Sequence, residues 1–322
     1  MYKSFFGLTR NPFEISPDPY FLFATARHNE ALASLFHGVL RRKGFMVVTG
    51  EVGTGKTLLV RCLLGILHRQ EIASANVFNP CLSPTEFLRY ITGDLGLKSI
   101  NQDKGILLLE LNNYLIARHL KNTTTVLIVD EAQDLAPELL EEIRLLTNLE
   151  TSQQKLLQIV LVGQPELDQK IDSSELRQLK QRVALRCQLE PLREPETTSY
   201  ILRRLQRAGA NLHATTLFPA ETIAAVHRYS NGIPRLINTV CENALIAAYA
   251  EKAQAVRLDV IDEVAKDLRL SVLTMRPAPA TTVTAGQRAI ARSLLDLVEA
   301  LERVARGSEA RDASSDQGVK IV

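Results

Sequence analysis

At 322 residues the chain is long enough for one sizeable α/β unit and a smaller second one. It is 46% hydrophobic, 23% charged and 5% aromatic, with no tryptophan, which excludes a mostly disordered, collagen-like or fibrous protein. A formal net charge of +2 names no partner, and the clusters Arg41-Arg42-Lys43 and Arg203, Arg204, Arg207 read as solvated helix faces before they read as a nucleic-acid footprint.

The first segment, residues 1–24, carries Tyr2, Phe5, Phe6, Phe13, Tyr20, Phe21 and Phe23, seven of the chain's seventeen Phe and Tyr residues. Pro12, Pro17 and Pro19 interrupt any helix there, so the pattern predicts an extended aromatic arm laid over the main domain. Thr25 then offers an N-cap for a helix to about Arg42, with Leu32, Leu35, Phe36 and Leu40 on one face. Continuous apolar runs of strand length follow at Phe45–Thr49, Ala75–Phe78, Val126–Val129 and Leu157–Val162. Between them lie helical patterns at Leu58–Leu67, Leu107–Leu120 and Pro137–Leu149. Buried strands alternating with helices predict an α/β core, residues 25–192, built on a mainly parallel sheet covered on both faces.

Beyond Leu192 the strand signal stops, and helical patterns at Pro195–Arg207, Pro219–Arg228, Pro234–Ala250 and Leu258–Leu268 predict a small all-helical unit over residues 193–270. Residues 271–287, rich in Pro, Ala and Thr, read as a linker. Ile290, Leu294, Leu297, Leu301 and Val304 then mark an amphipathic helix over 288–306, and the polar tail 307–322 reads as disordered. The four cysteines, at 62, 81, 187 and 241, are too far apart to suggest zinc or a disulfide framework, which fits a reducing cytosol. No apolar run suits a signal peptide or an integral membrane segment. The expectation is a cytoplasmic protein that reaches the inner membrane only through a partner.

The chemistry starts at Gly50-Glu51-Val52-Gly53-Thr54-Gly55-Lys56-Thr57, which fits G-x-x-x-x-G-K-[ST] between a strand and a helix that continues through Leu58. Such a loop cradles phosphates on backbone N–H groups at the positive helix end; Lys56 reaches the β and γ phosphates and Thr57 offers a hydroxyl to Mg²⁺. The second element is Asp130-Glu131 at the end of Val126–Val129. Asp130 is placed for the Mg²⁺ shell and Glu131 for the attacking water. At the tip of the Leu157–Val162 strand, Gln164 either touches that water or the γ-phosphate, or caps the next helix. Arg177, Arg182 and Arg186 each read as a surface charge on pattern alone.

In combination these residues resemble an AAA+ ATPase, and more narrowly the ExeA-like ATPases called general secretion pathway protein A. The likeness runs over about residues 1–270. It rests on Met1-Tyr2, Phe5-Phe6-Gly7-Leu8, Asn11-Pro12-Phe13, Pro17-Asp18-Pro19, His28, Gly44-Phe45, the P-loop, Asp130-Glu131-Ala132-Gln133, Gly163-Gln164-Pro165-Glu166-Leu167 and Gly232-Ile233-Pro234-Arg235. The resemblance implies ATP as the nucleotide and a homo-oligomer that shares active sites. It also implies Arg182 as a finger inserted into the neighbouring site, Arg235 as a lid sensor of the γ-phosphate, and His28 at the edge of the adenine pocket. A switch that assembles or regulates a secretion, pilus or surface-polysaccharide export apparatus is the expected function. The alternative is a nucleotide-dependent DNA-binding ATPase of the transposition or initiation type.

Overall fold

In a computed structural model the described residues are 2–15, 19–21, 23–78, 81–97, 103–210 and 214–270. The linker, amphipathic helix and tail expected at 271–322 lie outside them. Five parallel strands, β1 (Phe45–Gly50), β2 (Ala73–Val77), β3 (Thr125–Val129), β4 (Leu157–Gly163) and β5 (Val183–Leu189), form one sheet in the order β2-β3-β4-β1-β5. β1, β3 and β4 are buried along their whole length, as the apolar runs require when helices cover both faces. Alternate side chains feed two cores. Met46, Val48, Ile128 and Val160 meet α2 (Ala26–Leu40) and α3 (Lys56–Arg69). Phe45, Val47, Leu127 and Ile159 meet α4 (Pro84–Asp94), α5 (Lys104–Leu120) and α6 (Pro137–Leu146).

Register places the chemistry on one edge. Thr49 stands beside Gly163, Gly50 beside Leu189, and Val77 beside Val129, so β1, β3 and β4 all end on the same carboxyl side. This is where open α/β sheets bind ligands. Two short helices, α7 (Pro165–Asp172) and α8 (Arg177–Lys180), return the chain to β5. Beyond β5 come α9 (Glu194–Arg207), α10 (Ala214–Leu217), α11 (Ala220–Ser230), α12 (Pro234–Ala250) and α13 (Leu258–Asp267), which enclose a third core around Ile201, Phe218, Ile237 and Leu245.

The aromatic arm departs from expectation. It is not wholly extended, since Tyr2–Phe5 forms a helical turn (α1) and Pro19–Phe21 a 3-10 turn. Nor does it lie over the sheet: Tyr2, Leu8, Phe13 and Phe21 belong to the core of the C-terminal helices. Polar contacts fix it there. Thr9 N–H donates to the Ala208 carbonyl at 2.7 Å, Arg204 Nε to the Pro12 carbonyl at 2.5 Å, and the Tyr2 hydroxyl to both Glu242 oxygens at 2.8 Å. The physical reason is that the helical unit, too small to cover its own apolar faces, completes its core with the arm.

Candidate nucleotide site

Gly55, at φ +101°, takes the left-handed conformation at the N-cap of α3, and no side chain caps that end. The helix's first N–H groups therefore remain for a ligand, where the macrodipole favours an anion. Thr54 closes the loop from within, donating from N–H and hydroxyl to the Glu51 carbonyl at 3.2 and 2.8 Å. Lys56, buried to 6% exposure, donates Nζ to the Gly50 and Glu51 carbonyls at 2.7 and 3.0 Å. Burial pulls its pKa down, against the carboxylates of Glu131 and Asp130. A desolvated lysine among neutral carbonyls gains from any phosphate that replaces them.

Thr57 Oγ1 lies 3.3 Å from Asp130 Oδ2, and the other Asp130 oxygen accepts the Glu131 N–H at 3.0 Å. Burial raises the Asp130 pKa, so its ionised form needs a cation. One hydroxyl and one carboxylate, both hard oxygen donors, suit Mg²⁺, which takes few protein ligands and completes its shell with phosphate and water. Glu131 itself adopts φ +51°, a left-handed conformation that costs a non-glycine residue about 1–3 kcal/mol.

A cavity of about 450 Å³ gathers these groups. Gly53 to Leu58, Glu131 and Gln164 line it together with Phe21, Phe23, His28, Tyr200 and Asn238. Val52 and Arg235 also face it, and the Arg235 N–H donates to the Gly53 carbonyl at 3.3 Å, seating the start of α12 on the P-loop. Gly50, Glu51 and Asp130 stand directly behind, bonded to Lys56 and Thr57. His28 does more than border the cavity: Nε2 meets the Thr54 carbonyl at 3.1 Å and Nδ1 the Thr25 hydroxyl at 2.8 Å, bracing the P-loop. Gln164 is the N-cap residue of α7, yet its side chain makes no capping bond.

Arg182 stands apart. It precedes β5 at the amino edge of the sheet, and its NH1 donates to Thr147 Oγ1 at 2.7 Å. Arg186 pairs with Asp168 and Asp172 at 2.8 and 2.9 Å. The reading of Arg203, Arg204 and Arg207 as one exposed basic face is corrected: Arg204 is buried at 7% exposure, its NH1 donating to the Tyr200 hydroxyl at 3.1 Å, and Arg207 bonds the Tyr20 carbonyl. Three site residues escaped the sequence reading. Tyr200 and Asn238 meet hydroxyl to amide oxygen at 2.8 Å, and Gln133 links Glu131 to the tip of β4. Only Gln133 had a signal, its place in Asp130-Glu131-Ala132-Gln133.

A family model described as AAA domain matches residues 39–171. The chain is 46% identical over 252 residues to general secretion pathway protein A of Aeromonas hydrophila, covering 78% of this chain and 45% of that protein. It is 32% identical over 162 residues to the Mu-like prophage FluMu DNA transposition protein B of Haemophilus influenzae, covering 47% of this chain and 50% of that one. It thus spans about half the length of the curated relatives it matches. Among solved structures it resembles Drosophila ORC bound to DNA (TM-score 0.61, 18% identity, 82% of this chain and 65% of that one). It also resembles Cdc6p from Pyrobaculum aerophilum (TM-score 0.57, 16% identity, 85% and 72%). Identities this low speak for the fold alone. The AAA match lies on the P-loop core, and the long alignment makes the chain similar to general secretion pathway protein A over most of its own length.

Proposed function

We propose that the chain is an ATP-hydrolysing switch that assembles or regulates a secretion, pilus or surface-polysaccharide export apparatus. The observation that carries the reading is a single cavity lined at once by the P-loop, Glu131, Gln164 and the lid residue Arg235. Phosphates rest on the N–H groups at the start of α3, and Lys56 exchanges its carbonyl partners for the β and γ oxygens. Thr57 and Asp130 would hold Mg²⁺, whose charge would offset that building on the phosphate oxygens. Glu131 accepts the proton of the attacking water as the new O–Pγ bond forms; the Pγ–O bond to ADP breaks, and the β-phosphate takes the electron pair. Phe21 and Phe23, on an arm fastened to the helical lid, line the same cavity as the P-loop, so nucleotide in the cavity would link P-loop, arm and lid.

The transmission of that change to a client rests on the kinship with general secretion pathway protein A. No described helix is long and apolar enough to cross a membrane. On the kinship with general secretion pathway protein A we propose a cytoplasmic location, recruitment to the inner membrane by a protein partner and action as a homo-oligomer. The DNA-dependent alternative lost its main sequence support with the burial of Arg204.

Hydrolysis of labelled ATP by the purified chain tests the reading. Lys56→Ala should abolish nucleotide affinity while the fold persists. Glu131→Gln should bind ATP and Mg²⁺ but turn over about 10²- to 10⁴-fold more slowly. Wild-type turnover in both variants would place the chemistry elsewhere.

A further inference from the structure

Gln133 sits in the 3-10 turn Ala132–Asp134 directly after β3, and its side-chain amide is fully engaged. Oε1 accepts the backbone N–H of Gln164 at 2.9 Å. Nε2 donates to Glu131 Oε2 at 2.9 Å and to Asp134 Oδ2 at 3.0 Å. The amide cannot be reversed: an N–H must face an acceptor and two carboxylates must face a donor. One side chain thereby ties the Glu131 carboxylate to the strand tip that carries Gln164.

The surroundings are shaped for this contact. A Cβ on Gly163 would stand 2.9 Å from Gln133 Oε1 and 3.2 Å from its backbone nitrogen, so only glycine lets the turn approach β4 this closely. From the other side Lys170 Nζ donates to the Gln133 and Leu135 carbonyls at 3.1 and 2.5 Å, pinning the turn. Glu131 needs such restraint. Its backbone is left-handed, and its charge and that of Lys56 attract each other across the P-loop. Released from Gln133, the carboxylate has a cation to fold onto, and an ion-paired carboxylate is a poor proton acceptor.

We propose that Gln133 is a positioning residue for hydrolysis, holding the Glu131 carboxylate in the cavity and coupling it to the tip of β4. It is not among the residues that line the cavity and acts through Glu131. The proposal rests on the ATPase reading above.

Gln133→Glu separates the two contacts, since it keeps an oxygen for the Gln164 N–H and loses the donor toward Glu131. Its kcat should fall about 10- to 100-fold, the usual range for a group that orients a functional side chain, with the KM for ATP unchanged. The decisive readout is a double-mutant cycle under single turnover. In a Glu131→Gln background the same change at 133 should cost nothing further, because the side chain it serves is already disabled. Wild-type kcat in Gln133→Glu, or an equal fall in both backgrounds, overturns the proposal while leaving the ATPase reading intact. A wild-type chain without ATP hydrolysis overturns both. Should thermal unfolding reveal that Gln133→Glu does not fold, Gln133→Met, of similar length without either hydrogen bond, carries the same cycle.

Discussion

His28 ties the start of α2 to the P-loop, and its protonation is legible from its partners. The Thr54 carbonyl can only accept, so Nε2 carries the proton and Nδ1 accepts from the Thr25 hydroxyl. A second proton would have to enter on Nδ1, against that bond and against burial, and burial holds the pKa of His28 below its ordinary 6.5. The unfolded chain then binds the proton more readily than the folded one. Its contribution to stability is accordingly present above pH 6.5 and lost as pH falls below it. His28→Gln should therefore flatten the decline of the thermal midpoint between about pH 7.5 and about pH 5.5 relative to wild type. His227, also held low by burial, contributes equally to both curves and cancels in the difference. Curves that run parallel through this range would refute a buried neutral His28.

At the scale of elements, the arm and the C-terminal helices form one folding unit although nearly 200 residues separate them in sequence. Phe13 is fully buried and meets Phe218 edge-on at 5.8 Å between ring centres. Phe13→Ala should cost about 3–5 kcal/mol by equilibrium urea unfolding. A loss below about 1 kcal/mol would mean that the arm merely rests on the surface. The same separation explains what the sequence could and could not reveal. β1, β3 and β4 were legible because central parallel strands are apolar throughout, and Gly50–Thr57 with Asp130-Glu131 were legible because their chemistry is contiguous. β5, an edge strand whose exposure alternates, carries no such run. α4 was overlooked although Ser83 and Glu86 make a capping box, with the Ser83 N–H 2.8 Å from Glu86 Oε2. The aromatic density of the arm was evident, but not its dock, and Tyr200 and Asn238 became site residues only through contacts between distant segments.

For the whole molecule, the position of Arg182 decides whether a single chain is catalytically complete. Its neighbour Val183 opens β5 at the level of Phe45, while Leu189 closes it beside Gly50 at the P-loop. Six residue steps at about 3.3 Å put roughly 20 Å of strand between Arg182 and the cavity edge, well beyond the reach of an arginine side chain. A finger role for Arg182, which we propose, therefore requires it to enter the cavity of a neighbouring subunit in the proposed homo-oligomer, leaving Thr147 as it does so. Arg182→Ala should bind ATP as wild type does and lose about 10³- to 10⁵-fold in turnover, the range of a finger supplied in trans. Mixed with Lys56→Ala protein, it should recover part of that rate, because an intact P-loop on one subunit then faces an intact arginine on the next. Neither variant alone has both. If oligomers confirmed to contain both variants stay inactive at every mixing ratio, the shared site is excluded and Arg182 serves only to tie β5 to Thr147.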